Sequence, residues 1–339
     1  MSRGLRVSPL LLAASLALLA GLCQAQVPGS LSTLAPYCFE KGLPAAYQPY
    51  LDTSFLGEEQ HALVGTVNYS YYQFGPLQQT SSPGRPLIMI TGSGATYSDW
   101  TPDLLSGLAQ NREVIIFDNR GIGRSTDSYI PPNGLYTLGD YASSTVDFIA
   151  EIGLEQPDAL GWSLGGFILL TMLVDFNGNE TLSHAILANT AAGGPGYIES
   201  PDSYADYGDS DSEPLGFLYP DTQTGLDGLC RLIYFNPAMP DDEPTDAQEN
   251  LQNINFPTVN DTSISSKLGG ITNPVLVLTG AQDQIVATAD AYQLANGIPG
   301  SIFLQYQDSG HATLQQHALS FPRFASAFLD ESEAQINPQ

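Results

Sequence analysis

One stretch, residues 158–167, constrains this chain more than any other. It reads Asp-Ala-Leu-Gly-Trp-Ser-Leu-Gly-Gly-Phe, with Gly161-Trp162-Ser163-Leu164-Gly165 at its centre. A short apolar run leads into it, and an apolar run with helical character, residues 167–174, follows. A buried strand that turns directly into a helix exposes the side chain at the turn and frees the first backbone N–H groups of the helix. Glycine on either side of the serine removes a Cβ that would collide with a neighbouring element. Gly-x-Ser-x-Gly also arises by chance in a chain with 33 glycines, so the rest of the sequence decides its meaning.

Short continuous apolar runs recur on both sides of this turn. Residues 86–90, 113–117, 158–162, 185–188, 275–278 and 302–306 read as buried parallel strands, and residues 61–74 alternate as strand material. Helical spacing covers 100–109, 138–152, 163–175, 288–296 and 314–329. This alternation predicts the α/β class: a doubly wound, mostly parallel sheet that binds ligands at the carboxyl ends of its strands. The rhythm breaks between Ala192 and about Lys267, where the chain turns polar, acidic and proline-rich yet keeps aromatic residues such as Tyr197, Tyr219 and Tyr234. That segment reads as an inserted cap with short helices near 226–234 and 246–254. The expected organisation is a signal peptide at 1–25, an N-terminal extension at 26–60, a core at 61–192 and 269–339, and a cap at 193–268.

The signal reading rests on Arg3 and Arg6 ahead of the apolar run 10–22, with small residues before Gln26. That run is short for a spanning helix, which needs about 20 residues. The expectation is therefore a secreted or periplasmic protein with no stable membrane anchor after cleavage. All 36 acidic residues lie beyond the signal, facing eight basic ones. A nucleic-acid partner is excluded on that balance, because backbone binding needs basic patches. Cys38 and Cys230 remain after cleavage; in an oxidising compartment they either pair or stand as unrelated thiols.

A serine hydroxyl becomes a nucleophile when a base, usually histidine, takes its proton, and a carboxylate usually holds the base. There are four histidines. His61 is early, His184 begins a strand, and His317 is expected on the surface of the final helix. His311 lies in the loop after the last predicted strand, where a base can reach the end of the central strand. Asp283 follows the strand 275–278, and no acid follows the preceding strand, which ends in Asn189-Thr190-Ala191. The order Ser163, Asp283, His311 is the one used by hydrolases built on this turn. The N–H of Leu164 is one candidate oxyanion donor. The Gly-rich loop Thr91-Gly92-Ser93-Gly94-Ala95-Thr96 is the expected source of another. Gly92, Trp162 and Tyr197 are candidates for the substrate pocket. No metal-ligand cluster and no cofactor motif is evident: a dinucleotide fingerprint fails where Tyr97 replaces its third glycine.

With these blocks in order, the chain resembles the α/β-hydrolase superfamily from about Leu63 to Leu329. Asp118-Asn119-Arg120-Gly121-Ile122-Gly123-Arg124-Ser125 is similar to the Asp-x-Arg-Gly-x-Gly-x-Ser loop of its small hydrolases. The nearest likeness is to esterases, methylesterases, enol-lactone hydrolases and cofactor-free haloperoxidases, with proline-iminopeptidase-like peptidases also similar. By this resemblance Ser93 supplies the second oxyanion donor. The usual His-Gly of that loop is Thr91-Gly92 here, so support from a histidine side chain is lost. The resemblance implies a serine hydrolase acting on a small-molecule carboxylic ester or similar acyl bond, with activity falling at acidic pH as His311 protonates. A peptidase or amidase of the same fold and a non-catalytic binding protein are the alternatives.

Overall fold

In the computed structural model, the described residues run from Cys38 to Asp330. Positions 39, 41, 80–82, 199–217, 221, 236–237, 240–243, 253–256 and 259 are outside them. The expected signal peptide and several cap aromatics thus lie outside the described residues.

The apolar runs form the strands β1 (Gln60–Val64), β2 (Val67–Phe74), β3 (Leu87–Ile90), β4 (Val114–Phe117), β5 (Thr126–Asp127), β6 (Asp158–Trp162), β7 (Ala185–Ala188), β8 (Val275–Gly280) and β9 (Ile302–Tyr306). They make one nine-stranded sheet in the order β1-β2-β4-β3-β6-β7-β8-β9, with β5 beside β2. The strands from β4 to β9 in that order are parallel; only the β1–β2 hairpin and its pairings with β4 and β5 are antiparallel. The alternating stretch 61–74 is therefore a hairpin, turning at Gly65, whose φ of +59° is left-handed. β3, β4, β6, β7 and β8 are buried along their whole length, which is why they read as continuous rather than alternating apolar runs.

Helices cover both faces. α1 (Pro102–Leu108), α2 (Leu138–Glu151), α3 (Leu164–Asp175), α4 (Gln223–Phe235), α5 (Asp246–Gln252), α6 (Thr288–Gly297), α7 (Thr313–Gln316) and α8 (Phe321–Leu329) follow in chain order. One apolar cluster packs side chains of α2, α3 and α6 on Ile88, Ile115, Leu187 and Val277. The other packs α1 and α8 on Leu87, Met89, Ile116 and Leu278. Neighbouring residues of one strand thus feed opposite clusters, as the two-residue repeat of a strand requires.

The final helix departs from the sequence expectation of one element over 314–329. It is two helices, separated at residues 317–320. Pro322 carries no N–H and is accommodated only in the first turn of a helix, so a new helix starts at Phe321. His317, expected on a helix surface, lies in this break. Its ring stacks on Tyr306 with centroids 3.7 Å apart, and Nε2 is 3.4 Å from Asp308. Burial holds its pKa below the ordinary histidine value despite the opposing pull of Asp308.

α4 and α5 lie in the segment between β7 and β8. Cys38 and Cys230 form a disulfide, with Cα atoms 5.1 Å apart, that ties the start of the described chain to α4. Their cluster includes Leu229, Ile233 and Ala312. Arg231 crosses from α4 to the body, donating from Nη2 to the carbonyls of Gln315 and Gln316, both at 2.7 Å.

Candidate active site

Ser163 stands between β6 and α3 with φ +55° and ψ −119°, a conformation that costs a non-glycine residue about 1–3 kcal/mol and persists only where its surroundings enforce it. The surroundings do so. A Cβ on Gly161 would lie 2.3 Å from the Gly165 carbonyl oxygen, and one on Gly165 would lie 2.1 Å from that of Ile90. Strand and helix therefore touch through bare backbone, and the turn cannot relax outward. Ser163 N–H donates to Ala188 O at 2.9 Å, fastening the turn to β7.

The loop after β3 runs beside this turn. The register pairs Ile90 with Gly161. A Cβ on Gly92 would lie 3.3 Å from the Ser163 Cβ and 3.2 Å from the Trp162 ring, so Gly92 lets the loop approach both. Asn119 Nδ2 donates to the Thr91 carbonyl and to Thr91 Oγ1, each at 3.1 Å, and Thr91 Oγ1 donates to Ala95 O at 3.2 Å. The carboxylate of Asp118 accepts from Tyr97 N–H at 2.8 Å and Arg124 N–H at 2.9 Å. The Asp118–Ser125 motif is thereby given a physical purpose: its first two side chains shape residues 91–97. Asn119 bonded to Thr91 supplies the bracing for which the absent histidine raised a question.

Gly94 N–H is already engaged, donating to Gln252 Oε1 at 2.5 Å. The backbone N–H groups of Ser93 and Leu164 donate to no acceptor among the described residues. Ser93 is exposed at the turn.

On the far side, His311 Nδ1 lies 2.9 Å from Asp283 Oδ2 and 3.1 Å from Oδ1, with both side chains buried. An ionised carboxylate only accepts, so this contact assigns the hydrogen to Nδ1 and leaves Nε2 as the basic nitrogen. Asp283 is held in turn. Its Oδ1 accepts from the N–H groups of Ile285 and Val286, both at 2.9 Å, and its Oδ2 from Asn189 Nδ2 at 2.9 Å. The His311 loop is fixed from two directions. Trp162 Nε1 donates to His311 O at 2.9 Å, and Gln316 Oε1 accepts from Gly310 N–H at 2.9 Å. The Trp162 bond ties His311 to the residue next to Ser163, with ring centroids 5.8 Å apart.

Several residues were not singled out by sequence: Asn189, Asn119, Gln316 and Gln252. Asn189 occupies the position after β7 that would hold an alternative acid; its signal is an Asn directly after a buried strand, in the left-handed region at φ +50°. Of the candidate pocket residues, Gly92 lies against Ser163. Trp162 packs with Trp100 in a core cluster and is only 6% exposed. Tyr197 lines a cavity of about 410 Å³ with Ala191, Asp290 and Leu294, and neither Ser163, Asp283 nor His311 lines it. His184 pairs with Asp158 at 2.9 Å, at the opposite end of β6 from Ser163, within a buried network that includes Arg112. Among the described residues no group of three or more His, Cys, Asp or Glu is arranged to hold a metal ion.

The alpha/beta hydrolase fold family matches residues 85–318. The chain belongs to this family. RutD of Caulobacter vibrioides, named as a carbamate hydrolase, is 25% identical over 288 residues, covering 79% of this chain and 97% of that protein. The 2-hydroxymuconate semialdehyde hydrolase of Pseudomonas sp. strain CF600 is 26% identical, covering 75% and 90%. An alpha/beta hydrolase fold protein from Chitinophaga pinensis superposes with a TM-score of 0.68 at 25% identity, over 83% of this chain and all of that one. The carboxylesterase CesB of Bacillus subtilis shares the fold, with a TM-score of 0.61 at 19% identity over 88% and 98%.

Proposed function

We propose that this protein is a serine hydrolase that cleaves a carboxylic ester or similar acyl bond through an acyl-enzyme. The observation that carries the reading is the buried His311–Asp283 pair, tethered by its backbone to Trp162, the residue adjoining the strained Ser163. Ser163 Oγ attacks the carbonyl carbon while His311 Nε2 takes the hydroxyl proton. Asp283 keeps its bond to Nδ1–H and stabilises the imidazolium that forms. The oxygen of the tetrahedral intermediate accepts from the N–H groups of Leu164 and Ser93, a contribution of about 3–4 kcal/mol for each such donor. His311 then returns its proton to the leaving oxygen. Water repeats the cycle on the acyl-enzyme: His311 takes its proton, the carboxylic acid departs, and Ser163 is restored.

Relatives named for carbamate and carboxylic ester hydrolysis support an acyl substrate, and the segment 193–268 is read as the cap that selects it. The test is Ser163→Ala on short p-nitrophenyl esters, with a fluorophosphonate probe on the wild type. The expected result is labelling at Ser163 and a fall in kcat of about 10⁴-fold or more in the variant; retained turnover sinks the mechanism. Export is proposed with it, from the basic and apolar N-terminus and a disulfide suited to an oxidising compartment. Sequencing the mature N-terminus from a secreting host is expected to read from Gln26.

A further inference from the structure

α5 is fastened to three loops of the body. Gln248 Nε2 donates to Gly123 O at 2.8 Å, Leu251 O accepts from Tyr136 N–H at 3.1 Å, and Gln252 Oε1 accepts from Gly94 N–H at 2.5 Å. The last bond joins residues 158 apart in sequence, and Gln252 is 1% exposed. Its Oε1 must be the atom facing Gly94, because an N–H group needs an acceptor. That leaves Nε2 buried without a partner among the described residues. A buried amide hydrogen without an acceptor is unfavourable, so the bond this carboxamide makes is the one through its oxygen, and that oxygen bonds the loop lying against Ser163.

Gly94 has φ +65°, and its neighbour Ser93, like Gly92 and Ala95, has an N–H group with no acceptor among the described residues. With Gly94 N–H held by Gln252, the peptide between Ser93 and Gly94 cannot swing its hydrogen toward the reacting carbonyl. Asn119 holds the loop's start and Gln252 its tip. We infer that Gln252 is a positioning residue for the oxyanion hole: from the cap, it fixes the loop 91–96 so that Ser93 N–H meets the developing oxyanion. This deepens the serine hydrolase reading and rests on it. It makes hole geometry depend on the Gln252–Gly94 bond in particular, so a substrate that breaks that bond loses turnover as well as affinity.

Gln252→Met keeps length and burial and removes the acceptor. On a p-nitrophenyl ester the expected result is a kcat 10- to 100-fold lower with KM within about twofold, since an oxyanion donor acts on the transition state and small misplacements carry penalties of that size. Affinity for a boronic acid that forms a tetrahedral adduct on serine falls by the same factor. Gln252→Asn, one methylene short, is the second variant and shows the same split if the first fails to fold. Gln248→Ala, which loosens α5 at Gly123 alone, leaves kcat within about twofold. A loss confined to KM, an unchanged boronate affinity, or equal kcat losses in the Gln248 and Gln252 variants overturns the inference. Labelling of Ser163 in the wild type separates the two failures. If the wild type labels and Ser163→Ala is inactive while Gln252→Met behaves as wild type, only the inference falls; if the wild type does not label, both fall.

Discussion

At Asn189 two demands meet. The backbone is left-handed, and the side chain donates to Asp283 Oδ2, with Gly310 O and Thr313 Oγ1 also within 3.2 Å. Asparagine is among the few non-glycine residues that tolerate that backbone, and its amide supplies the donors. Asn189→Gly keeps the conformation and loses the bonds, so it isolates the side chain. A bond to a charged group contributes about 1.5–3 kcal/mol, and kcat is expected to fall roughly tenfold, read in steady-state assays against wild type. Asp290 works differently. It is 2% exposed, its Oδ1 accepts from Ile198 N–H at 2.8 Å, and burial pushes its pKa from 3.8 to about 6. The folded state keeps this proton to a higher pH than the unfolded chain does, so the group's contribution to stability falls as pH rises from about 4 to about 6. Asp290→Asn removes the titration and keeps the acceptor. Relative to wild type, the variant is expected to be more stable at pH 7 than at pH 4, measured by urea midpoints at each.

At the scale of elements, the Ser163 turn was legible because its requirements are local. Two glycines, a strand run and a helix run suffice to announce it, and the contacts that exclude a Cβ involve residues close in the sheet. Gly165→Ala forces a methyl to 2.1 Å from Ile90 O; it is expected to cost about 3 kcal/mol or more in stability, seen as a lowered denaturant midpoint. The break in the last helix was less legible, since apolar spacing continues through it and only Pro322 marks the restart. α4 depends on a link 192 residues long, the Cys38–Cys230 disulfide. Replacing both cysteines with serine is expected to lower stability by about 2–5 kcal/mol, measured by thermal melting without reductant. Ala312, beside His311, packs in the same cluster, so activity is lost at a lower temperature than in wild type.

For the whole molecule the charge is the dominant long-range quantity: −26 at pH 7. A surface field of that sign repels anionic substrates, and salt screens it over a Debye length of about 10 Å at 0.1 M. The expected result is a kcat/KM that rises with ionic strength for an anionic ester and stays flat for a neutral one of equal acyl length. The sequence by itself determined the alternation of strands and helices, the turn at Ser163, and the loops that carry Asp283 and His311. Each of these is written in neighbouring residues, through apolar period, glycine and strand-end position. Only the tertiary structure decided which groups hold those loops: Asn189 on Asp283, Trp162 on His311, Asn119 on Thr91, and Gln252 on Gly94. A polar side chain selects its partner by where packing brings the chain together, and local sequence carries no record of that. The same packing leaves Ser93 N–H without an acceptor among the described residues and closes off that of Gly94, a distinction two adjacent residues of a glycine-rich loop do not reveal on their own.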